Sequence, residues 1–386
     1  MYNIKIYNKI AKVGLDYFDE RYTVSEDAEQ PVAALVRSAA LHEVEFPKSL
    51  LAIGRAGAGT NNIPVERCGN EGIVVFNTPS ANANAVKELT VAGLFLASRK
   101  VINGVEWAKG LKGNGSDVGK MVEKGKSAFA GPEIRGKRLG VIGLGAIGVL
   151  VANAANDLGM TVYGYDPYLS LQNAWNLSHN IIRANEMKEI FEKCDYITLH
   201  IPLTKDTKGT VNKEALDKMK DGVRILNFAR DGLVDSDAML EALASGKVAS
   251  YVVDFPTDEM LGVEGVIAIP HLGASTPESE DNCAVMAAKE LIDYIEDGNI
   301  TNSVNFPNIS MPRSGDIRIC VIHKNIPNML TSITSAVAKD NVNIENLLNK
   351  SRGELAYTMM DVQRCDVEAV KEHITSLEGV ISVRVI

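Results

Sequence analysis

RLGVIGLGAIGVLVANAANDLGMTVYGYD, residues 138–166, decides the reading of the whole chain. Leu139 to Ile142 read as an apolar strand that runs into Gly143-x-Gly145-x-x-Gly148, then a helix, then a second strand ending at Asp166. Strand, glycine turn, helix, strand and terminal acid together form a dinucleotide-binding fingerprint, which a glycine triplet alone would not. Gly143 makes the tight turn, Gly145 lets backbone approach a pyrophosphate, and Gly148 lets helix pack on strand. Ala146 and Ile147 open the helix, whose N-terminus would face the phosphates. Asp166 follows Gly148 by 18 residues, the spacing of an acid that accepts the ribose hydroxyls. Its charge would repel a 2′-phosphate, and DPYLSLQN supplies no Arg or Lys to welcome one. The expected cofactor is therefore NAD. Because 137 residues precede the fingerprint, the nucleotide domain reads as inserted into another domain.

The rest of the composition narrows the class. The chain has 386 residues, 46% of them hydrophobic and 23% charged, enough for two or three domains of ordinary globular type. A net charge of −9 argues against nucleic acid as a partner. The opening MYNIKIYNKI lacks the apolar run of a signal peptide, and no stretch approaches the ~20 apolar residues that span a bilayer. A cytoplasmic protein with no membrane partner is expected. The 5 cysteines (Cys68, Cys194, Cys283, Cys320 and Cys365) are scattered without metal-ligand spacing, so no metal site and no disulfides are expected.

Periodicity gives an α/β protein with two doubly wound, parallel-sheet domains of Rossmann-like type. Strands in NIKIYN, AALVRS, LLAIGRAG and GIVVFNTP precede a helix at Ala83 to Ser98. Further strands are expected at 138–142, 161–165, 195–199, 223–227, 249–253 and 266–268, with helices between them and a long helix from Glu278 to Asp297. LKGNGSDVGKMVEKGKS (111–127) reads as an exposed polar segment, and NITNSVNFPNISMPRSG as a linker. Residues 316–386 follow the order β-α-β-β-α-β, a ferredoxin-like α+β unit. It carries no cluster of catalytic residue types and reads as a regulatory or assembly module. The expected domains are 1–97 with 285–306, 98–284, a linker at 307–315, and 316–386.

Three strand ends after the fingerprint carry polar residues. Arg230 follows LNFA, Asp254 ends YVV with Glu259 five residues later, and His271 follows VIAIP. In an open α/β sheet, ligands bind outside the carboxyl ends of the strands, so all three point to the crevice of the glycine loop. Hydride transfer fits this set. Arg230 offers a planar fork for a substrate carboxylate, and His271 accepts a hydroxyl proton near neutrality. Glu259 would orient the imidazole and raise its pKa.

NFARDGLVD, VVDFPTDE and PHLGAST, after GLGAIG, resemble the D-2-hydroxyacid dehydrogenase family, and GRAGAGTNNI and VVFNTP agree with it. HKNIPNMLTSI and NVNIENL resemble an ACT domain. With the stretch SVNFPNISMP, the resemblance covers essentially the whole chain. It implies NAD-dependent oxidation of a phosphorylated hydroxy acid, 3-phosphoglycerate, to 3-phosphohydroxypyruvate at the start of L-serine synthesis. Glycerate, hydroxypyruvate or 2-hydroxyglutarate dehydrogenation, or a non-catalytic NADH sensor, are the alternatives.

On the same resemblance Arg230, Glu259 and His271 are catalytic. Asp254 lies near the nicotinamide, and Ala58, Ala146, Ile147, Thr207, Phe228, Ala229, Gly273 and Ala274 line the cofactor beside the fingerprint glycines. Arg37, Ser38, Arg55 and Gly57 join Arg230 in holding substrate carboxylate or phosphate. His323, Asn325 and Asn343 match positions that contact an L-serine effector between two ACT units; a purely structural module is the alternative. A homodimer or homotetramer is expected. Asn328 stands where the family often has Gly after Pro327; Asn tolerates a left-handed backbone there. Asn61 replaces the family's more common acid.

Overall fold

A computed structural model describes residues 1–339 and 342–386. The chain forms two compact units, Met1–Asn82 with Pro277–Ile386, and Ala83–Thr276. The discontinuous first unit carries two sheets. One is parallel, in the order β2-β1-β3-β4-β5, built from β1 (Tyr2–Ile6), β2 (Tyr22–Ser25), β3 (Ala33–Val36), β4 (Ala52–Arg55) and β5 (Val74–Asn77). β3 is buried on both faces and reads as an unbroken apolar run, and β4 does so up to Arg55, as parallel strands covered on both sides must. The chain reverses direction across the sheet between β1 and β3. The loops after those two strands therefore flank the switch point where ligands bind in open α/β sheets.

The second unit holds seven strands in the order β12-β11-β10-β9-β6-β7-β8. They are β6 (Arg138–Ile142), β7 (Thr161–Tyr165), β8 (Ile182–Arg183), β9 (Tyr196–Leu199), β10 (Val223–Asn227), β11 (Val248–Val253) and β12 (Val266–Ala268). All are parallel, and the switch point lies between β6 and β9.

The remaining sheet of the first unit is antiparallel, β14-β15-β13-β16, from β13 (Ile317–Lys324), β14 (Ile344–Arg352), β15 (Leu355–Val362) and β16 (Val380–Val385). Helices Met329–Lys339 and Val367–Thr375 complete the expected β-α-β-β-α-β order, burying Ile333 and Val337, and Val370 and Ile374, on one core with Ile319 and Val321. Arg318 is buried beneath this sheet, where Nε and Nη2 form a bidentate pair with Asp361 at 2.7 and 2.8 Å.

The unit boundaries differ from those expected at 97/98 and 284/285. Helix Ala83–Ser98 belongs to the second unit because its buried face is complementary to that sheet. A side chain at Gly93 would meet Phe228 and Leu226, and Ser98 Oγ lies 2.7 Å from the Tyr196 hydroxyl. Helix Pro277–Asp297 belongs to the first unit from its first residue, with Ala284 tight against Gly14 and Leu291 against Gly54. The linker expected at 307–315 is not a free one. Ile309 and Met311 are buried with Ile300 and Phe306, and Ile300 and Ile309 exchange backbone hydrogen bonds, so this stretch closes the core. Segment 111–127 is largely exposed but contains a helix, Val118–Gly125, close to the Trp107–Phe129 pair.

Candidate active site

In the second unit the apolar residues of β6 bury the strand and deliver the chain to Gly143 at φ +93°, a left-handed turn that favours glycine. A side chain at Gly143 would strike the His200 carbonyl at 2.5 Å, and one at Gly148 the Gly143 carbonyl at 1.9 Å. Gly145 is different: nothing lies within 4 Å of the place its Cβ would occupy. It caps helix Ala146–Asp157 without a side-chain hydrogen bond, so the first-turn N–H groups stand over open space. Asp166 accepts from the Leu144 N–H on Oδ2 and the Tyr168 N–H on Oδ1, both at 2.8 Å. Those bonds fix the carboxylate at the end of β7 and leave lone pairs on each oxygen.

The next strand ends complete the arrangement. Asn227, buried at the end of β10, turns the chain toward Arg230: its Nδ2 donates to the Arg230 carbonyl at 2.9 Å and its Oδ1 accepts from the Ala229 N–H at 3.2 Å. Phe228 is buried in the sheet–helix core, while Arg230 reaches the surface. Asp254, at the end of β11, is only 2% exposed, and its Oδ1 has no hydrogen-bond partner. Burial pushes its carboxyl up to about 6, against the pull of its own N–H and the nearby Arg230. Gly273 stands close enough that a side chain there would contact Val86 and the Asp254 carboxylate. Ala274 follows, half-buried.

His271 takes φ +43° after Pro270, with its N–H shared between the Asp254 and Ile269 carbonyls. Its ring packs on Phe255 at 4.4 Å between centroids. Partial burial, then the charge of Arg230, lower its pKa. That is opposite to the rise expected from Glu259, because the carboxylate is elsewhere. Glu259 sits exposed on a short 3-10 turn, where its own N–H and then the Thr257 hydroxyl hold it below the usual carboxylate range. Among the described residues no hydrogen bond or ion pair joins Glu259 to His271. The structure thus brings Arg230, Asp254 and His271 within electrostatic reach and leaves Glu259 apart.

His200 was not foreseen. It ends β9 on the other side of the switch point, with Nε2 3.0 Å from the Thr198 hydroxyl, and burial pushes its pKa down to about 4. A polar residue immediately after the apolar strand YITL, at the start of HIPLT, is the available signal. Thr207 lies just beyond in a turn it ties together, its hydroxyl donating to the Pro202 carbonyl at 2.6 Å.

In the first unit, Arg37 and Ser38 follow β3 at the switch point. Asn8, after β1, accepts the N–H groups of Arg37, Ser38 and Ala39 on one Oδ1 at 3.1–3.2 Å. Arg37 pairs with Glu280 at 2.6 Å. Arg55 ends the adjacent β4, its guanidinium lying over Gly57, where a side chain would be only 2.3 Å from Nη1. Burial, and the like charge of Arg37, lower the Arg55 pKa, and its Nε has no partner. Ala58 is exposed and accepts from Asn77 Nδ2.

In the antiparallel sheet His323 is 2% exposed, with Nδ1 2.8 Å from the Lys324 carbonyl and Nε2 2.9 Å from the Thr358 hydroxyl. Asn325 and Asn343 are exposed, and Asn325 Nδ2 donates to the Gly353 carbonyl at 3.0 Å. Asn328 adopts φ +67°, the left-handed backbone its position requires.

An open glycine loop at a helix N-terminus, a ribose-height acid and an orphaned buried carboxylate oxygen all fit a bound dinucleotide, and they define a nucleotide-dependent α/β oxidoreductase. Residues 94–273 match the model of the D-isomer specific 2-hydroxyacid dehydrogenase NAD-binding domain, and residues 319–382 that of an AHAS small subunit-like ACT domain. The chain is 31% identical over 358 residues to D-3-phosphoglycerate dehydrogenase of Haemophilus influenzae, covering 89% of this chain and 83% of that one. It is 34% identical over 361 residues to the Bacillus subtilis protein of the same name, of which it covers 66%. The NAD+-bound 3-phosphoglycerate dehydrogenase of Entamoeba histolytica superposes with a TM-score of 0.60 at 26% identity, over 79% of this chain and 98% of that one. The chain belongs to the D-2-hydroxyacid dehydrogenase family, as an NAD-dependent member with a C-terminal ACT domain.

Proposed function

We propose that this chain oxidises 3-phosphoglycerate to 3-phosphohydroxypyruvate, the entry to L-serine synthesis. The observation that carries this reading is the grouping of Arg230, Asp254 and His271 at the carboxyl ends of the strands that also present the glycine loop. NAD, when bound, would supply the acceptor for the hydride that leaves C2 of the substrate. Gly145 and the helix beginning at Ala146 would hold its pyrophosphate, Asp166 its ribose, and Asp254 would lie near its nicotinamide. Ile147, Thr207, Ala229, Gly273 and Ala274 would line it. Arg230 holds the substrate carboxylate in a two-pronged contact. His271, its pKa lowered by burial and by Arg230, stands neutral at physiological pH and takes the C2 hydroxyl proton. Glu259 supports the imidazolium that results, after leaving its own turn.

Arg37, Ser38, Arg55 and Gly57 are proposed to hold the phosphate. The partnerless Arg55 Nε and the pairing of two cations at adjacent strand ends support an anion there. In the ACT domain, L-serine is proposed to bind at Asn325 and Asn343, with His323, locked to Lys324 and Thr358, positioning the strand end. A cytoplasmic homodimer or homotetramer completes the reading; among the described residues, no helix is long and apolar enough to cross a membrane.

The test is reduction of 3-phosphohydroxypyruvate and of hydroxypyruvate by NADH, in the wild type and in Arg55→Ala. The variant should raise KM for the phosphorylated acid alone. An equal effect on both acids removes Arg55 from phosphate recognition. Absence of turnover on the phosphorylated acid removes the substrate assignment.

A further inference from the structure

The first unit carries an open surface pocket of about 600 Å3 that plays no part in the sites above. Its wall includes Ser80, Asn282, Met286, Glu290, Asp293 and Asn302. Glu290, on helix Pro277–Asp297, is 7% exposed. Its Oε1 accepts from Asn302 Nδ2 at 2.7 Å, while Oε2 has no hydrogen-bond partner. A carboxyl group buried with half its bonding capacity unused is a rare and costly feature. Protonation relieves the charge but leaves an O–H without an acceptor, so it does not complete the group. Burial accordingly raises the acid, to about 8. Asp293 also lines the pocket, and burial raises it too, although Asn299 Nδ2 donates to its Oδ1 at 2.8 Å. The cation among the lining residues does not answer this need: Lys289 Nζ lies over the Tyr17 ring, 4.7 Å from its centroid.

We propose that this pocket binds a small organic ammonium. A protonated primary amine brings three N–H donors for the Glu290 and Asp293 carboxyl groups that line the pocket. Ala81, Val285 and Met286 supply the apolar wall for a short aliphatic stem. Two carboxylates exclude an anion. Among the described residues no group of three His, Cys, Asp or Glu side chains is placed to hold a metal ion. Binding lets Glu290 ionise, so a proton leaves the protein as the amine enters.

The experiment is isothermal titration of the full-length protein with n-propylammonium, n-propanol and propionate, in two buffers of different ionisation enthalpy near neutral pH. The expected result is saturable binding of propylammonium alone, with proton release read from the buffer dependence. Glu290→Gln, which keeps the Asn302 contact and the side-chain volume, should weaken binding by about tenfold or more while NADH turnover stays unchanged. Saturable binding of propanol, no saturable heat with propylammonium, or binding unaltered in Glu290→Gln each overturns the proposal. Should that variant not fold, wild-type binding without proton release overturns it equally.

Discussion

Asp254 is the residue where stability and function should pull apart. The folded chain raises its pKa from 3.8 to about 6, mainly by burial. The folded state therefore binds this proton more tightly than the unfolded chain does. As pH rises past 3.8 the unfolded chain ionises first, and folding loses stability until the folded pKa is passed; above it the loss is constant. About two pKa units correspond to a cost of ~3 kcal/mol above neutrality and roughly 1.5 kcal/mol near pH 5. Asp254→Asn removes the charge at constant shape. It should unfold at a temperature several degrees higher than wild type near pH 8, with the gain shrinking by about half near pH 5. On the proposed role of Asp254 beside the nicotinamide, the same variant should also lower NAD affinity, by roughly 10- to 100-fold. Thermal unfolding across this pH range, with NAD titration alongside, tests both halves. A variant less stable than wild type at every pH, or a gain that does not change with pH, would refute the reasoning.

Two loop glycines should behave oppositely. Gly148→Ala sets a methyl 1.9 Å from the Gly143 carbonyl and should lower the melting temperature, whereas Gly145→Ala meets open space and should keep it while weakening NAD binding. Melting curves and NAD titrations of the pair decide this. Asp361→Asn breaks the buried pair with Arg318 and should cost about 3–5 kcal/mol, read as faster hydrogen exchange in β13 and β15 with the second unit unaffected. His271→Ala should lower turnover by about 100- to 10,000-fold while NAD binding, measured separately, survives.

The features legible in the sequence were those with short-range causes. The glycine turn, the 18-residue step to Asp166 and the apolar runs of β6 and β9–β12 each follow from local geometry. Strand-end positions of Arg230, Asp254 and His271 followed from the same runs. β2 and β8 escaped because YTVS and IR are too short to show periodicity and are completed only by their neighbours' ladders. The unit boundary at Asn82 depends on which sheet receives the Ala83–Ser98 helix, a tertiary choice no local signal carries. Ile309 and Met311 look like linker residues until the partner of their apolar side chains is known. Glu259 shows a further limit: spacing places a carboxylate near a histidine in sequence, but its own N–H and Thr257 decide where it rests. Burial of His323 was hidden for the same reason, since its partner Thr358 is 35 residues away.

The central claim is most directly tested by following NADH formation from NAD and 3-phosphoglycerate at mildly alkaline pH, with wild type and His271→Ala measured side by side and L-serine added to each. NAD-dependent turnover in the wild type that collapses in the variant, with NAD still bound, is the predicted result, and suppression by serine would extend it to the ACT domain. Because this direction is uphill, the reverse reaction with 3-phosphohydroxypyruvate and NADH serves as its control. No turnover in either direction, or turnover that survives loss of His271, would contradict the account.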